Sequence, residues 1–241
     1  MSDVNLHLMG RFGNQLFQWV FCRAYCAQYG HQMHCDPWVG EQIFEGIECP
    51  RITQDFPHRN EDTANGDGEI GLEGYFQNQQ SLIYTRTQAK AWLKFRPEVL
   101  KKLITGLPAL ECIVRHVRQG DYVGSDIYPV VGFQEWFLDL PSYLRTSGVT
   151  IVEADEHSVK IDGLPDFLPD FWRLMNAKIL YRANSSFSYW AAVLADESQE
   201  VWSPRIDGLK GGIIHDEVPW ERGNHCRLAD LPFISDLHLA P

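Results

Sequence analysis

"VNLHLMGRFGNQLFQWVFCRAYCAQYG", residues 4–30, decides the fold class. "VNLHLM" alternates branched apolar and polar side chains and is read as a strand, residues 4–9. Gly10 to Gly13 make a turn. From about Asn14 to Tyr29, the residues Leu16, Phe17, Val20, Phe21, Ala24 and Tyr25 recur at the spacing of one helix face. Gly30 then stands where such a helix stops, because glycine takes the left-handed conformation that closes a helix at little cost. Strand, glycine turn and helix in that order open an α/β unit.

Outward from this opening, residues 51–69 are polar, with Pro57 and "NEDTANGDGE", and are expected to form a solvated loop. "IGLEGYFQNQQSL" (70–82) predicts a short strand entering a helix that continues toward "AKAWLKF" (89–95), and "PEVLKKLI" (97–104) adds another helical turn or two. "ECIVRHV" (111–117) has the apolar character of a central strand, and "VTIVEA" (149–154) predicts a further one. "PDFWRLMNA" (169–177) and "SFSYWAAVLA" (186–195) are helical. "KILYRA" (178–183) is a strand, and "EVWSP" (200–204) is expected to be the last one. The tail from Arg205 is rich in Gly and Pro and is expected to pack irregularly on the body. The alternation predicts an α/β protein with Rossmann-type parallel sheets. Its length supports one large domain or two small lobes.

The totals narrow the class. A chain of 241 residues, 44% apolar and 22% charged, has the composition of a soluble globular protein with room for a core. No run approaches the ~20 apolar residues that cross a bilayer. The start, "MSDVNLHLMG", lacks the basic and long apolar regions of a signal peptide. These features predict a cytoplasmic protein, or a fragment whose targeting segment is gone. A net charge of −11 and a pI near 5.2 argue against nucleic acid or anionic lipid as partner. Any anion site must then be local. Of the 21 basic residues 14 are arginine, whose fork suits phosphate. The cysteines at 22, 26, 35, 49, 112 and 226 form no CxxC pair and read as buried, reduced thiols. Cys22 and Cys26 with Cys35 or His34 make a conceivable metal set.

Three junctions could carry chemistry. In "IVRHVRQGDYVGSD" (113–126), Arg115, His116, Arg118, Asp121 and Asp126 crowd the exit of a strand. Alternation sends His116 and Arg118 to one face and Val117 to the other. Ligands of open α/β sheets gather at such carboxyl ends, although an Arg–Asp pair that merely ties down a loop would give the same spacing. In "RANSSFSYWAAVL" (182–194), Asn184, Ser185 and Ser186 precede a helix, as caps or as an anion site. In "GRFGNQLFQ" (10–18), two glycines before a helix let backbone approach a ligand, with Asn14 and Gln15 as polar contacts. It is not a GxGxxG dinucleotide fingerprint.

Together these stretches resemble the α-1,2-fucosyltransferase family (glycosyltransferase family 11-like), within the GDP-fucose transferase superfamily. "MGRFGNQLFQ" (9–18) is similar to that family's opening turn, G-x-[GF]-GNQ-[LM]-FQ. "LEGYFQ" (72–77) is similar to its L-x-GYFQ segment. "HVRQGDY" (116–122) echoes its H-x-R-R-x-D-Y motif, and "NSSFSYWAAVL" (184–194) matches NS-[ST]-FS-x-W-x-A-x-L. The four keep family order and lie in both halves of the chain.

The resemblance implies a GT-B-like arrangement, with the sugar nucleotide between two lobes. It implies a reduced N-terminal lobe (1–104), a C-terminal donor-binding lobe (105–204) and a tail (205–241), and inverting transfer of L-fucose from GDP-fucose, as co-substrate, to a hydroxyl of an oligosaccharide or glycan acceptor, with no bound metal and no further cofactor. Arg118 would neutralise charge growing on the diphosphate, and His116 would line the nucleotide or phosphate site. The hydroxyls of Ser185, Ser186 and Ser188, with the helix N-terminus, would meet phosphate oxygens, and Asn184 and Phe187 would line the donor site with them. Asp170 would accept from guanine N–H groups. Gly10, Arg11, Phe12, Gly13, Asn14 and Gln15 would close over the donor sugar and diphosphate. Inversion needs a base for the acceptor proton; Asp126 is the first choice, with Asp121 the competitor or the residue orienting Arg118. Gln119 replaces the family's second arginine, and Arg11 or Arg115 is available to compensate. The acidic segment between the later motifs is reduced to "VEADEHS" (152–158).

Two other classes stay open. Glu153 and Asp155 at a strand end could hold a divalent cation, as in a metal-dependent GT-A-like transferase. A chain lacking arginine at 119 could instead be a non-catalytic nucleotide- or carbohydrate-binding module. A related reading keeps the fold and changes the donor sugar. Trp38, Trp136 and Trp220 are the tryptophans to watch for stacking on an acceptor.

Overall fold

The computed structural model describes residues 2–60, 63–66, 68–78, 81–107, 113–117, 150–153, 159–183, 185–204 and 225–227. At 117, 150–153, 202–204 and 225–227 only the backbone is described. The chain divides into two compact units, one running to Arg96 and the other starting at Pro97. Arg96 is held by the first: its N–H donates to the Ile43 carbonyl (2.9 Å) and its Nε to that of Glu41 (2.9 Å), while its guanidinium pairs with Glu48. The division therefore precedes the 104/105 boundary read from sequence, which would cut a helix.

The first unit contains β1 (Asp3–Leu6), α1 (Phe12–Tyr29), β2 (Gln32–Cys35), α2 (Gly40–Ile43), β3 (His58–Arg59), β4 (Ile70–Leu72) and α3 (Arg86–Trp92). Its sheet is wholly parallel, in the order β2-β1-β4-β3. α1 buries Leu16, Phe17, Val20 and Phe21, and the sheet buries Val4, Leu6, Ile70 and Leu72. Each such side chain contributes about 1.5–3 kcal/mol on leaving water. Gly30 ends α1 at φ 72°, its N–H bonded to the Cys26 carbonyl, as its place in the sequence predicted. Beyond it, the Tyr25 hydroxyl accepts the N–H of Gly66 (2.7 Å), and His31 Nε2 meets the Gly66 carbonyl (3.1 Å). The polar excursion before β4 is thus fastened to the end of α1.

Three local expectations are corrected. β1 stops at Leu6, because Gln18 captures the next backbone: its amide accepts from the Met9 N–H (2.9 Å) and donates to the Met9 carbonyl (3.0 Å). The helix expected after β4 starts only at Arg86, where Thr85 and Gln88 form a reciprocal cap. Before it, Phe76 takes φ 50°, a strained value for a side chain of its size, and stacks on Phe21 at 4.3 Å in the core. Trp38 is buried between Trp19 and Phe12, not presented to a sugar; Trp136 and Trp220 lie outside the described residues.

The second unit contains α4 (Pro97–Gly106), β5 (Ile113–Val117), β6 (Thr150–Glu153), α5 (Leu168–Asn176), β7 (Ile179–Tyr181), α6 (Ser186–Leu194), β8 (Glu200–Pro204) and β9 (His225–Arg227). The order is β6-β5-β7-β8-β9, parallel except for β9, which runs antiparallel to β8. β8 is therefore not the last strand, and the tail returns to the sheet at 225–227. α6 is nearly all apolar, with Tyr189, Trp190 and Val193 fully buried. The fold is α/β with parallel sheets, as the alternation predicted.

Candidate functional site

In a parallel sheet, ligands collect where consecutive crossovers part to opposite sides. The order β6-β5-β7-β8 puts that point between β5 and β7, since β5 leads to β6 on one side and β7 to β8 on the other; in the first sheet β1 and β4 are the central neighbours, and the segments that follow them share its carboxyl edge. "GRFGNQ", "LEGYFQ" and the start of α6 follow the carboxyl ends of β1, β4 and β7, and "HVRQGDY" begins within β5.

In the first unit, "GRFGNQ" follows β1 and "LEGYFQ" follows β4. Gln77 Nε2 donates to Asn14 Oδ1 at 2.8 Å, joining the two segments. Gly10 has φ +71°, and a Cβ there would lie 2.5 Å from Asn14 Nδ2, so the turn needs glycine twice over. Gln15 Nε2 reaches the Gly10 carbonyl (3.3 Å). Phe12 and Gly13 are buried in the first turn of α1, Asn14 and Gln15 are half-buried, and Arg11 is exposed. Arg11 occupies the cap position without a side-chain cap bond, and the first turn has no acidic residue. The partial positive charge at the N-terminus of this 18-residue helix therefore meets no carboxylate within its own first turn.

In the second unit, His116 near the end of β5 is buried, its ring 5.8 Å from that of Phe187 in the first turn of α6. Phe187 is packed edge-on by Phe167 (6.1 Å) and Phe171 (5.2 Å), so α5 fixes the ring against which His116 rests. Asp170, in the first turn of α5, is buried and lies 3.6 Å from Arg173 Nη1. Ser185 caps α6, its hydroxyl accepting the Phe187 N–H (3.3 Å). Ser188 is fully buried and donates to the carbonyls of Ala183 (3.2 Å) and Ser185 (3.3 Å). Of the three hydroxyls expected to meet phosphate, two therefore build the turn, and Ser186 is half-buried at the helix entrance.

Two arginines lie beneath this junction. Arg115 is buried in β5, and burial pushes its guanidinium down to about 10. Arg182, buried just after β7, sits 5.4 Å from the centre of the Tyr189 ring. Arg118, Asp121, Asp126 and Asn184 lie outside the described residues, as does Asp155; Glu153 closes β6 in the backbone. Among the described residues no group of three or more His, Cys, Asp or Glu is placed to hold a metal, the Cys22, Cys26, Cys35 and His34 set included. No helix among them is long and apolar enough to cross a membrane.

The sequence reading passed over Gln18, Gln77 and Arg182. Gln18 had a signal, as the one polar side chain within "LFQWVF" (16–21). Gln77 had none beyond its place in the "LEGYFQ" segment.

No protein-family model matches the chain, and no curated relative does. Solved structures similar to it include NodZ α-1,6-fucosyltransferase soaked with GDP-fucose, at 16% identity over 83% of this chain and 94% of that one, with a TM-score of 0.49. NodZ co-crystallised with GDP gives 16% identity, the same coverage and a TM-score of 0.48. Fucosyltransferase NodZ from Bradyrhizobium gives 15% identity over 83% and 95% of the two chains, with a TM-score of 0.47.

Proposed function

We propose that the chain is an inverting, GT-B-like glycosyltransferase that moves L-fucose from GDP-fucose to a sugar hydroxyl, with α-1,2 linkage. The observation that carries this reading is the pairwise meeting of the four family-like stretches: Asn14 with Gln77 after β1 and β4, and His116 near the end of β5 with Phe187 after β7. Each pair lies at the carboxyl edge of its sheet, where ligands of open α/β sheets gather.

The assigned roles follow the chemistry. The acceptor hydroxyl gives up its proton as its oxygen bonds to C1 of fucose. The bond from C1 to the β-phosphate oxygen breaks, and GDP leaves with the negative charge. Arg118, just beyond β5, meets that charge, supported by Ser186 and the N-terminal N–H groups of α6. Ser185 and Ser188 hold the shape of this turn. Asp170 serves the guanine, and the Gly10–Gln15 turn closes on the fucose and diphosphate. The acceptor proton needs a base; the resemblance offers Asp126 or Asp121, both outside the described residues.

Thermal unfolding with GDP, UDP or ADP, with and without EDTA, tests the donor. Ligand at about 100 times its dissociation constant adds about 2.7 kcal/mol. Stabilisation by GDP alone, indifferent to EDTA and lost in Arg118→Ala, is expected. A response to UDP that EDTA abolishes would favour the metal-dependent reading on Glu153 and Asp155, and no response to any nucleotide would refute a sugar-nucleotide site. Methylation analysis of the fucosylated product separates an α-1,2 from an α-1,6 linkage.

A further inference from the structure

Parallel sheets are ordinarily apolar on both faces, because crossovers bury both. The sheet of the first unit departs from this. Its register aligns His34, Asn5, Gly71 and His58 across β2, β1, β4 and β3. One step nearer the carboxyl edge, alternation brings Asp36, His7 and Glu73 to the same face. The opposite face carries Met33, Val4 and Ile70, then Cys35, Leu6 and Leu72, all buried.

The polar face is ordered. Asn5 Nδ2 donates to the Gln54 carbonyl (2.6 Å), and His34 Nε2 lies 3.5 Å from Asp3. At the carboxyl end, His58 Nδ1 meets Glu73 Oε2 at 2.5 Å, and His7 Nδ1 lies 3.7 Å from Asp36 Oδ2. The two imidazoles lie against each other, tilted by 33° with centroids 5.0 Å apart. Asp36 Oδ2 also accepts the Leu8 N–H (3.4 Å), which fixes its side chain. Space for His58 is made by Gly71: a Cβ there would come within 2.9 Å of His58 Cδ2 and 3.3 Å of the Phe56 carbonyl. About half of the His58 side chain is exposed (51%), whereas a sheet held by packing alone would have an apolar residue here.

We infer that His58, oriented by Glu73, rather than Asp126 or Asp121, is the general base for the acceptor hydroxyl, and that the carboxyl end of this polar face is where that hydroxyl binds. The inference deepens the proposed transfer and rests on it. A carboxylate on Nδ1 keeps the proton there and leaves the Nε2 lone pair for the substrate. His58 Nε2 takes the proton of the attacking hydroxyl, the oxygen bonds to C1 of fucose, and GDP departs with the bonding pair. Glu73 is a positioning residue: it selects the tautomer and stabilises the imidazolium. The face lies on the same edge of the sheet as the Gly10–Gln15 turn, since His7, Glu73 and that turn all follow the carboxyl ends of β1 and β4.

A nucleophile without a proton separates base catalysis from structural support. GDP release from GDP-fucose is measured in water alone and with sodium azide, whose anion attacks C1 without deprotonation, for wild type, His58→Gln, Glu73→Gln and His34→Gln. A lost general base lowers the reaction with water about 100-fold or more. The expected result is that loss in His58→Gln, with fucosyl azide formed at the wild-type rate. Glu73→Gln should fall in water but not with azide, and its His58 ¹⁵N spectrum should show mixed tautomers. His34→Gln, on the same face but at the other end, should match wild type in both. Equal losses with water and azide in His58→Gln, or no loss in either, would overturn the assignment. A folded wild type that binds GDP yet releases none from GDP-fucose under either condition would instead refute the proposed transfer, and the base with it.

Discussion

Replacing Gly10 by alanine tests whether the turn after β1 is built as described, and Gly30→Ala supplies the reference. Both glycines have φ near +70° (+71° and +72°), so both substitutions force a side chain into the left-handed region. That costs about 1–2 kcal/mol, offset by about 0.4–1 kcal/mol from the less flexible unfolded chain. Gly30 has nothing within 4 Å of the new methyl, so the net cost there is about 1 kcal/mol. At Gly10 the methyl would sit 2.5 Å from Asn14 Nδ2 and 3.2 Å from its Cβ and Cγ. Asn14 must turn away and surrender its bond from Gln77, which adds about 0.5–1.5 kcal/mol. Gly10→Ala should therefore cost about 2 kcal/mol, or roughly 8–16 °C in melting temperature for a unit of this size. The cost should be coupled to Gln77. In urea unfolding of Gly10→Ala, Gln77→Ala and the double variant, the second substitution should cost almost nothing once the first is present. Full additivity, or equal losses for Gly10→Ala and Gly30→Ala, would refute the packing of this turn. GDP stabilisation measured on the same samples should survive Gly30→Ala and weaken in Gly10→Ala.

Further outcomes follow from the same structure. Burial raises the Cys22 thiol well above its ordinary 9.0, so folding holds that proton. The resulting stability is complete below 9.0 and is lost as pH rises past that value toward the folded one; at pH 10 the loss is about 1.4 kcal/mol. Cys22→Ala should flatten the alkaline fall in urea-measured stability between pH 8 and 10, and an unchanged slope would count against it. Cys49 is shifted the other way, mainly by a hydrogen bond from the Cys35 thiol, with the Trp19 indole and Arg51 adding. It is half-buried and lines a cavity of about 310 Å³ with Arg23, His31 and Glu48. Iodoacetamide at neutral pH, followed by peptide mapping, should label Cys49 before the buried Cys22, Cys26 and Cys35; equal labelling would refute this. Gly71→Ala should push His58 off Glu73 and slow GDP release to water as His58→Gln does, while azide transfer persists.

The α/β class was legible because its evidence is periodic. α1 carries an apolar stripe over four turns and a glycine stop, and α5, α6, β5 and β7 fall within a few residues of where pattern placed them. What stayed hidden depends on contacts between distant residues. β2, "QMHC", is four residues with one polar side chain on each exposed position, and β3 is only two residues inside a polar loop. Their existence follows from pairing with β1 and β4, which no local pattern records. The missing helix after "LEGYFQ" turns on Phe76, whose strained backbone is tolerated because its ring packs on Phe21. At the site, the glycine turn and the serine cap were visible as residue types at a junction. The inward aim of Ser188 and the bond between Asn14 and Gln77 were not, since both are set by tertiary packing. His58 was hidden for the same reason: its neighbours His7, Gly71 and Glu73 come from other strands.

The fastening of Gly66 to Tyr25 and His31 has a consequence for how this chain can change. It splits the long passage between β2 and β4 into two closures that can be lengthened separately. Extra residues between β3 and Gly66 enlarge a surface loop, and doubling such a loop costs only about 0.6 kcal/mol. Extra residues on the far side fall in the short reach to Ile70 and pull β4 out of register with β1, carrying Gly71 and Glu73 with it. The anchor thus marks off a stretch where new recognition can be grafted from one where a single insertion dismantles the sheet.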